Sequence, residues 1–254
     1  MINNRIIPVL LLSGEGLVKT IRFSKRIYVG DPLNAIKIFN EKEVDEMVIL
    51  DIEASTKKQK PNISYIKKLA SECFMPLCYG GGITNIEEIE QIFFAGVEKI
   101  SINTALADNP DLISRASEKY GSQSILGSID IDKNIFGKYQ VFVQSGKKKL
   151  KESPVEWAKK LESAGAGEIF MNSIHKDGTM EGFDIDLIKE ISGSVKIPVI
   201  ASGGAGNLDH CKAAIEQGKA SAVGVGSMVV FKDSNRAVLI SYPNQEELKF
   251  FRNE

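Results

Sequence analysis

The sequence predicts an α/β protein, a (β/α)8 TIM-type barrel with a two-fold internal half-barrel repeat. Three observations carry that reading. The stretch Pro76-Leu77-Cys78-Tyr79-Gly80-Gly81-Gly82-Ile83-Thr84-Asn85 returns as Pro198-Val199-Ile200-Ala201-Ser202-Gly203-Gly204-Ala205-Gly206-Asn207. The spacing also holds outside the match, since Gly81 to Gly203 and the helix-ending Gly96 to Gly218 are both 122 positions apart. Halves of that size are too large to be single supersecondary units and imply a duplicated fold. Finally, short apolar runs alternate with helical patterns along the chain, as in a parallel sheet covered by helices. An open doubly wound sheet is the competing fold. It fits less well, because it need not repeat its third and fourth units as its seventh and eighth.

In order, a first strand is expected at Ile6 to Leu11 with a helix at Pro32 to Asn40, then a strand at Met47 to Ile52 with a helix at Tyr65 to Cys73. The third pair is Pro76 to Tyr79 and Ile86 to Phe94, where Ile86, Ile89, Ile92 and Phe93 fall at helical spacing. Ile100 to Ile102 leads to Pro110 to Tyr120, and Ile125 to Ile129 to Pro154 to Ala164. The last three pairs are Ile169 to Met171 with Ile185 to Ile191, Pro198 to Ala201 with Leu208 to Gln217, and Ala222 to Val225 with Gln245 to Phe251. Two segments depart from the repeat. Leu12 to Asp31, with Gly14, Gly16 and Gly30, is long enough to be a functional lid or mobile segment. Phe136 to Val143 alternates in places like a strand, so a hairpin is expected on the catalytic rim.

A chain of 254 residues with 43% hydrophobic content can bury one large core, so a single domain over 1–254 is expected. The net charge of −1 and pI near 6.2 provide no general basic field for nucleic acid or anionic lipid. Lys147-Lys148-Lys149 reads as a solvated loop. The Met1 region has no signal-peptide run and no segment approaches a membrane span, so a cytoplasmic enzyme is the default. Cys73, Cys78 and Cys211 lack metal-ligand or disulfide spacing. Neither a metal nor an organic cofactor is expected.

In such a barrel the active site lies at the carboxyl ends of the strands. Gly81-Gly82 and Gly203-Gly204 stand there, each leading into a helix, where glycines let backbone N–H groups approach an anion. Asn103-Thr104 and Gly226-Ser227, after strands four and eight, could complete two phosphate cradles facing each other across the mouth. That arrangement suits a ligand with a phosphate at each end. Tight turns are the alternative reading of the glycines. Asp51, Asp130 and Asp177 end strands or stand in the loops that follow, and Asp130 is the leading acid or base, with loop ordering as its alternative. His175, on the strand-six loop, is a weak candidate for substrate contact, and His210 reads as a surface helix residue. Arg5, Glu46, Lys99 and Glu168 instead stand just before apolar runs. Burying such charges is costly unless they pair, so a salt-bridged ring around the barrel axis is expected at the amino-terminal mouth. Four unrelated surface charges are the alternative.

These residues resemble the cyclase subunit of imidazole glycerol phosphate synthase, the HisF family, over nearly the whole chain. The resemblance is carried by Arg5-Ile6-Ile7, Lys19, Gly30-Asp31-Pro32, Leu50-Asp51-Ile52, Gly80-Gly81-Gly82-Ile83, Val97-Glu98-Lys99-Ile100-Ser101-Ile102-Asn103-Thr104, Tyr120-Gly121-Ser122-Gln123, Asp177-Gly178-Thr179 and Ala201-Ser202-Gly203-Gly204-Ala205-Gly206. The related barrel isomerase of histidine synthesis is similar too, but the Ser101 to Thr104 run and the strand-opening charges favour the cyclase. The resemblance implies a barrel that pairs with a HisH-like glutaminase and receives ammonia at its amino-terminal mouth. At the other mouth, a ribulosyl substrate with two phosphates is cut by ammonia to imidazole glycerol phosphate and an aminoimidazole ribonucleotide. Carried over by position, Asp130 looks like one of two catalytic aspartates and Lys19 like the loop lysine. Asp177 joins them as a candidate. Gly82, Asn103 and Thr104 look like one phosphate site, Gly204, Gly226 and Ser227 like the other, and Arg5, Glu46, Lys99 and Glu168 like an ammonia gate.

The chain departs from that pattern at the reaction centre. Leu11 stands where the family has its other catalytic aspartate, Asn172 where it usually has threonine, and His175 where it usually has aspartate. Loss of a positioned acid or base costs about 10²- to 10⁴-fold in rate. The tail Ala237-Val238-Leu239-Ile240-Ser241-Tyr242-Pro243 looks like a HisF-like branch linked to acetamidino modification of surface sugars, in which the barrel supplies ammonia to a separate sugar amidotransferase. An ordinary strand-like loop is the tail's plain reading. Two further readings stand beside that branch: a histidine-pathway cyclase working through Asp130 despite Leu11, and a non-catalytic subunit that only activates its glutaminase.

Overall fold

The computed structural model describes residues 4–232 and 235–252, so part of the Met1 region lies outside the described residues. Eight parallel strands close on themselves. We label them β1 Arg5–Ser13, β2 Met47–Asp51, β3 Leu77–Gly80, β4 Lys99–Ile102, β5 Ile125–Lys133, β6 Glu168–Ser173, β7 Val199–Ser202 and β8 Ala222–Val225. The pairing runs β6-β7-β8-β1-β2-β3-β4-β5, and β5 returns to β6 with Glu168 beside Leu126 and Asn172 beside Asp130. This is the (β/α)8 barrel that the repeat predicts.

Eight helices follow the strands: α1 Pro32–Glu41, α2 Ile63–Ala70, α3 Ile86–Phe94, α4 Asp111–Tyr120, α5 Pro154–Ser163, α6 Ile185–Ser192, α7 Leu208–Glu216 and α8 Gln245–Arg252. Their starts are written locally. Ser153 and Glu156 form a reciprocal capping box with Pro154 at the first helical position, after which α5 buries Trp157, Ala158 and Leu161. The duplication is visible in the caps. Asn85 and Asn207, one repeat apart, are both extended and both accept the third backbone N–H of their helix at 2.9 Å.

Side chains alternate along each strand, so the sheet has two apolar faces. The outward face packs with the helices into the larger core, which includes Ile6, Leu10, Met47, Ile100, Ile169 and Val223. The inward face forms a second, smaller core of Ile7, Val9, Val48, Cys78, Leu126, Phe170, Ile200 and Ala222.

The two insertions are both ordered hairpins. Residues Gly16–Ile21 and Lys25–Gly30 pair antiparallel, and the first of them also pairs with the end of β1. Leu12 to Asp31, expected as a functional lid or mobile segment, is thus built as a hairpin, because an extended β1 gives that segment a hydrogen-bonded edge to grow on. The second hairpin extends β5 to Lys133 and returns as Tyr139–Val143, on the carboxyl-terminal rim. In the tail, Ala237–Val238 pairs with Phe231–Lys232 before α8 begins. Cys73, Cys78 and Cys211 are free thiols, the first half-buried and the others buried.

Candidate active site at the carboxyl mouth and charged ring at the amino mouth

The inward-facing series begins with charge. Arg5, Glu46, Lys99 and Glu168 meet at the amino-terminal mouth. Arg5 donates to Glu46 Oε2 through one guanidinium nitrogen and to Glu168 Oε1 at 3.1 Å through the other. Lys99 Nζ closes the circuit, 2.9 Å from Glu46 Oε1 and 3.4 Å from Glu168 Oε1. The side chains of all four are at most 22% exposed, so each cation faces two anions in a site with little water to screen them. The smaller apolar core lies above this ring.

The series ends in a cavity of about 160 Å³ at the opposite mouth. Lys19, Gly82, Asn103, Thr104, Asp130, Asp177, Gly204, Gly226 and Ser227 all line it, so the structure brings together every residue assigned to this end. The cradle glycines are required by the backbone as well. Gly81 and Gly203 have φ of 124° and 95°, and a Cβ on either would fall 2.4 Å from the Asp51 carbonyl or 2.6 Å from that of Ser173. Thr104 Oγ1 accepts the Gln144 N–H at 3.0 Å, which ties the first cradle to the second hairpin. Ser227 is buried at the start of a four-residue helical turn, Ser227–Val230.

Asp130 sits on the inward face of β5. Burial pushes its carboxyl up to about 7, against the hydrogen bond it accepts from Asn103 Nδ2 at 2.7 Å. Burial also raises Asp177, while the Thr20 hydroxyl donates to its Oδ2 at 2.6 Å and the Phe23 N–H at 3.3 Å. The first hairpin thus arches over the mouth and is fastened to the strand-six loop. Lys19 is not on a loose loop. It occupies a strand of that hairpin, 4% exposed, with Nζ bonded to the Val9 carbonyl, and burial pushes its ammonium down to about 8. Asp51, also on the cavity wall, orders its own loop by accepting the N–H groups of Glu53 and Ala54 at 2.9 and 3.0 Å.

The histidine readings need correction. His175 is absent from the cavity wall: its Nε2 is 2.9 Å from Asp184 Oδ2 and its Nδ1 3.3 Å from Ser173 Oγ. His210 is half-buried and its Nδ1 accepts the Gly206 N–H at 3.2 Å, so it orders the turn before α7. Leu11, by contrast, is where its place on the strand requires, half-buried on the cavity wall and paired across the sheet with Val18 and Leu50. Among the wall residues that escaped the sequence reading, Thr20, Phe23 and Arg26 come from the first hairpin. Only the length of that insertion hinted at them. Ser101 and Ser128, hydrogen-bonded to each other on the wall, were legible in principle, since each lies two residues before a predicted site residue on the same face.

A family model described as histidine biosynthesis protein matches residues 5–235. A Pseudomonas aeruginosa protein provisionally named imidazole glycerol phosphate synthase subunit hisF2 is 53% identical over 248 residues, spanning 98% of this chain and 99% of its own length. A Leptospira borgpetersenii protein provisionally named as the HisF subunit is 48% identical, covering 96% of each chain. The imidazole glycerol phosphate synthase subunit HisF of Chlorobium limicola is 42% identical over 91% of this chain and 92% of its own.

Proposed function

The chain belongs to the HisF family of histidine biosynthesis proteins, and on that premise we propose that it conducts ammonia from a HisH-like glutaminase to an acceptor other than the usual cyclase substrate. One observation supports this above the rest. The charged ring is complete, whereas the reaction centre has an isobutyl group at Leu11 where the family places an acid. A leucine exchanges no proton, so a cyclisation that uses two acids loses one of them.

The inner apolar core suits the task, because a neutral ammonia molecule crosses such a layer at far lower cost than an ammonium ion. The four ion pairs close the ring, so at least one must open for a molecule to enter along the axis. Arg5, Glu46, Lys99 and Glu168 thereby act as a gate. At the other mouth the two cradles, Gly82, Asn103 and Thr104 facing Gly204, Gly226 and Ser227, hold a ligand with phosphates at both ends. The acceptor we assign is a surface sugar carried by a separate amidotransferase, a reading that rests on the tail Ala237 to Pro243. The protein works in the cytoplasm; no helix among the described residues is long and apolar enough to cross a membrane.

The alternative is a cyclase of histidine synthesis running on Asp130 alone, favoured by the placement of that carboxyl near 7, close to the pKa best suited to proton transfer at neutral pH. The two separate on one assay: the purified chain with ammonium chloride and the bisphosphorylated ribulosyl substrate. Turnover about 10²-fold or more below the Chlorobium limicola HisF control supports the proposal, and turnover equal to that control sinks it. Passage is tested in a Leu11→Asp background. There Ala222→Phe, which fills the axis beside the ring, should abolish glutamine-driven turnover and leave ammonium-driven turnover intact.

A further inference from the structure

The first hairpin brings two cations, Lys19 and Arg26, to a cavity wall that also carries the carboxylates of Asp51, Asp130 and Asp177. Lys19 belongs to the second cradle. Its Nζ lies 2.6 Å from where a Cβ on Gly226 would stand, and it is buried in a hydrogen bond to the Val9 carbonyl. Arg26 stands on the returning strand, opposite Thr20, and its side chain is 44% exposed, so a guest can reach it. One of its guanidinium nitrogens, Nη1, donates to Glu53 Oε1, and that contact places it at the first cradle. Asp51 and Ala54, which flank Glu53, pack on the cradle glycines: a Cβ on Gly81 would fall 2.8 Å from Asp51 Cβ, and one on Gly82 would fall 2.9 Å from Ala54 Cβ. Ser55, next along, lines the cavity. Glu53 does not need Arg26 to stay paired. Lys57 Nζ lies 2.8 Å from its other oxygen, and Lys57 and Arg26 together hold its carboxyl down at about 2.

We propose that Arg26 is a binding residue of the first cradle and takes a phosphate monoester there together with Gly82, Asn103 and Thr104. The inference rests on the phosphate reading of the cradles given above. Such a group carries a charge of about −1.5 to −2 at pH 7, which a glycine turn meets with partial charges only. Thr104 Oγ1 already accepts the Gln144 N–H, so its proton is left to donate. Arg26 adds a full positive charge, and the edge of its guanidinium not bonded to Glu53 carries further N–H donors in the fork that suits phosphate oxygens. The two cradles then differ in kind. One has an exposed arginine fork and the other a buried ammonium, both delivered by a single hairpin.

The test is a titration of the full isotope-labelled chain with sodium phosphate, read in NMR at the backbone amides of Gly82 and Thr104. Both should shift saturably, and sodium chloride at equal ionic strength should move neither. Arg26→Ala should weaken that response about tenfold or more, and Arg26→Lys, which keeps the charge without the fork, about threefold or more. Glu53→Gln breaks the same ion pair but keeps the guanidinium, and should leave the affinity equal to the parent's or tighter. Equal weakening by Arg26→Ala and Glu53→Gln overturns the proposal, because the arginine would then only fasten the hairpin. An Arg26→Ala response within about twofold of the parent overturns it too. If Arg26→Ala fails to fold, Arg26→Lys and Glu53→Gln decide alone, since only the first should weaken the response. No shift in the parent ends the phosphate reading of this cradle and the role of Arg26 with it, whereas a parent response that survives Arg26→Ala ends the role of Arg26 and leaves the cradle standing.

Discussion

The two mouths of this barrel are built on opposite rules. At the amino-terminal mouth every charge of the ring meets two of opposite sign and the ring closes on itself, with Glu168 Oε2 the one carboxylate oxygen of the ring that is buried without a hydrogen-bond partner. At the carboxyl mouth Asp130 is half-buried with one amide donor and no cation bonded to it, two amide oxygens are unpaired, and Lys19 donates to a backbone carbonyl. Satisfied groups hold a shape, whereas unsatisfied ones hold free energy that a ligand releases. The chain therefore keeps one end as a closed fitting and the other as an open socket.

The largest expected effect breaks this contrast at the socket. Leu11→Asp places an acid opposite Asp130 and, on the proposed function, should raise turnover of the bisphosphorylated ribulosyl substrate by about 10²-fold or more in a steady-state assay. An unchanged rate would mean that the altered centre differs by more than that one side chain. Next comes the fitting. Glu46→Gln removes the anion shared by Arg5 and Lys99 at a side chain only 4% exposed, and should cost about 3 kcal/mol in urea denaturation. A cost below 1 kcal/mol would place the ring among ordinary surface pairs.

A stability profile against pH sharpens the comparison further. Asp130 holds its proton up to about 7 when folded, against an ordinary value of 3.8, so between those values the folded chain binds more protons than the unfolded one. Its contribution to stability then falls as pH rises from about 4 to 7 and is level above that. Asp130→Asn should remove this fall and gain up to about 4 kcal/mol at pH 8 relative to the parent. The smallest effect concerns the hairpin over the socket. Thr20→Val deletes the hydroxyl bonded to Asp177 and should cost about 1 kcal/mol, seen as faster hydrogen exchange over residues 16–30 and little change at the ring.

What the sequence made legible follows from what local chemistry can encode. Gly81 and Gly203 announced the duplicated barrel because their backbone geometry excludes a side chain, and their place just before apolar runs put Arg5, Glu46, Lys99 and Glu168 at the amino-terminal mouth. The carboxyl-terminal rim was legible by the same rule, since Asn103 and Gly226 stand just past strand ends and Asp130 just past the run Ile125 to Ile129 expected as a strand. Direction within loops was not. Nothing in the order of residues tells that His175 turns to Asp184, or that Thr20 crosses the mouth to Asp177, 157 positions away. The hairpin within Leu12 to Asp31 was hidden for a related reason: the segment reads as a connection until β1 is seen to run on to Ser13 and give it an edge.

Leu11 has one more implication, for orientation. The half-barrels supply nearly matching glycine turns, and the ligand proposed above, with a phosphate at each tip, would fit such a pair in either sense. With an acid on β5 and an aliphatic group at the corresponding place on β1, the two walls are chemically unlike. A guest whose polar flank must face Asp130 can lie only one way round, so a duplicated vessel acquires a left and a right.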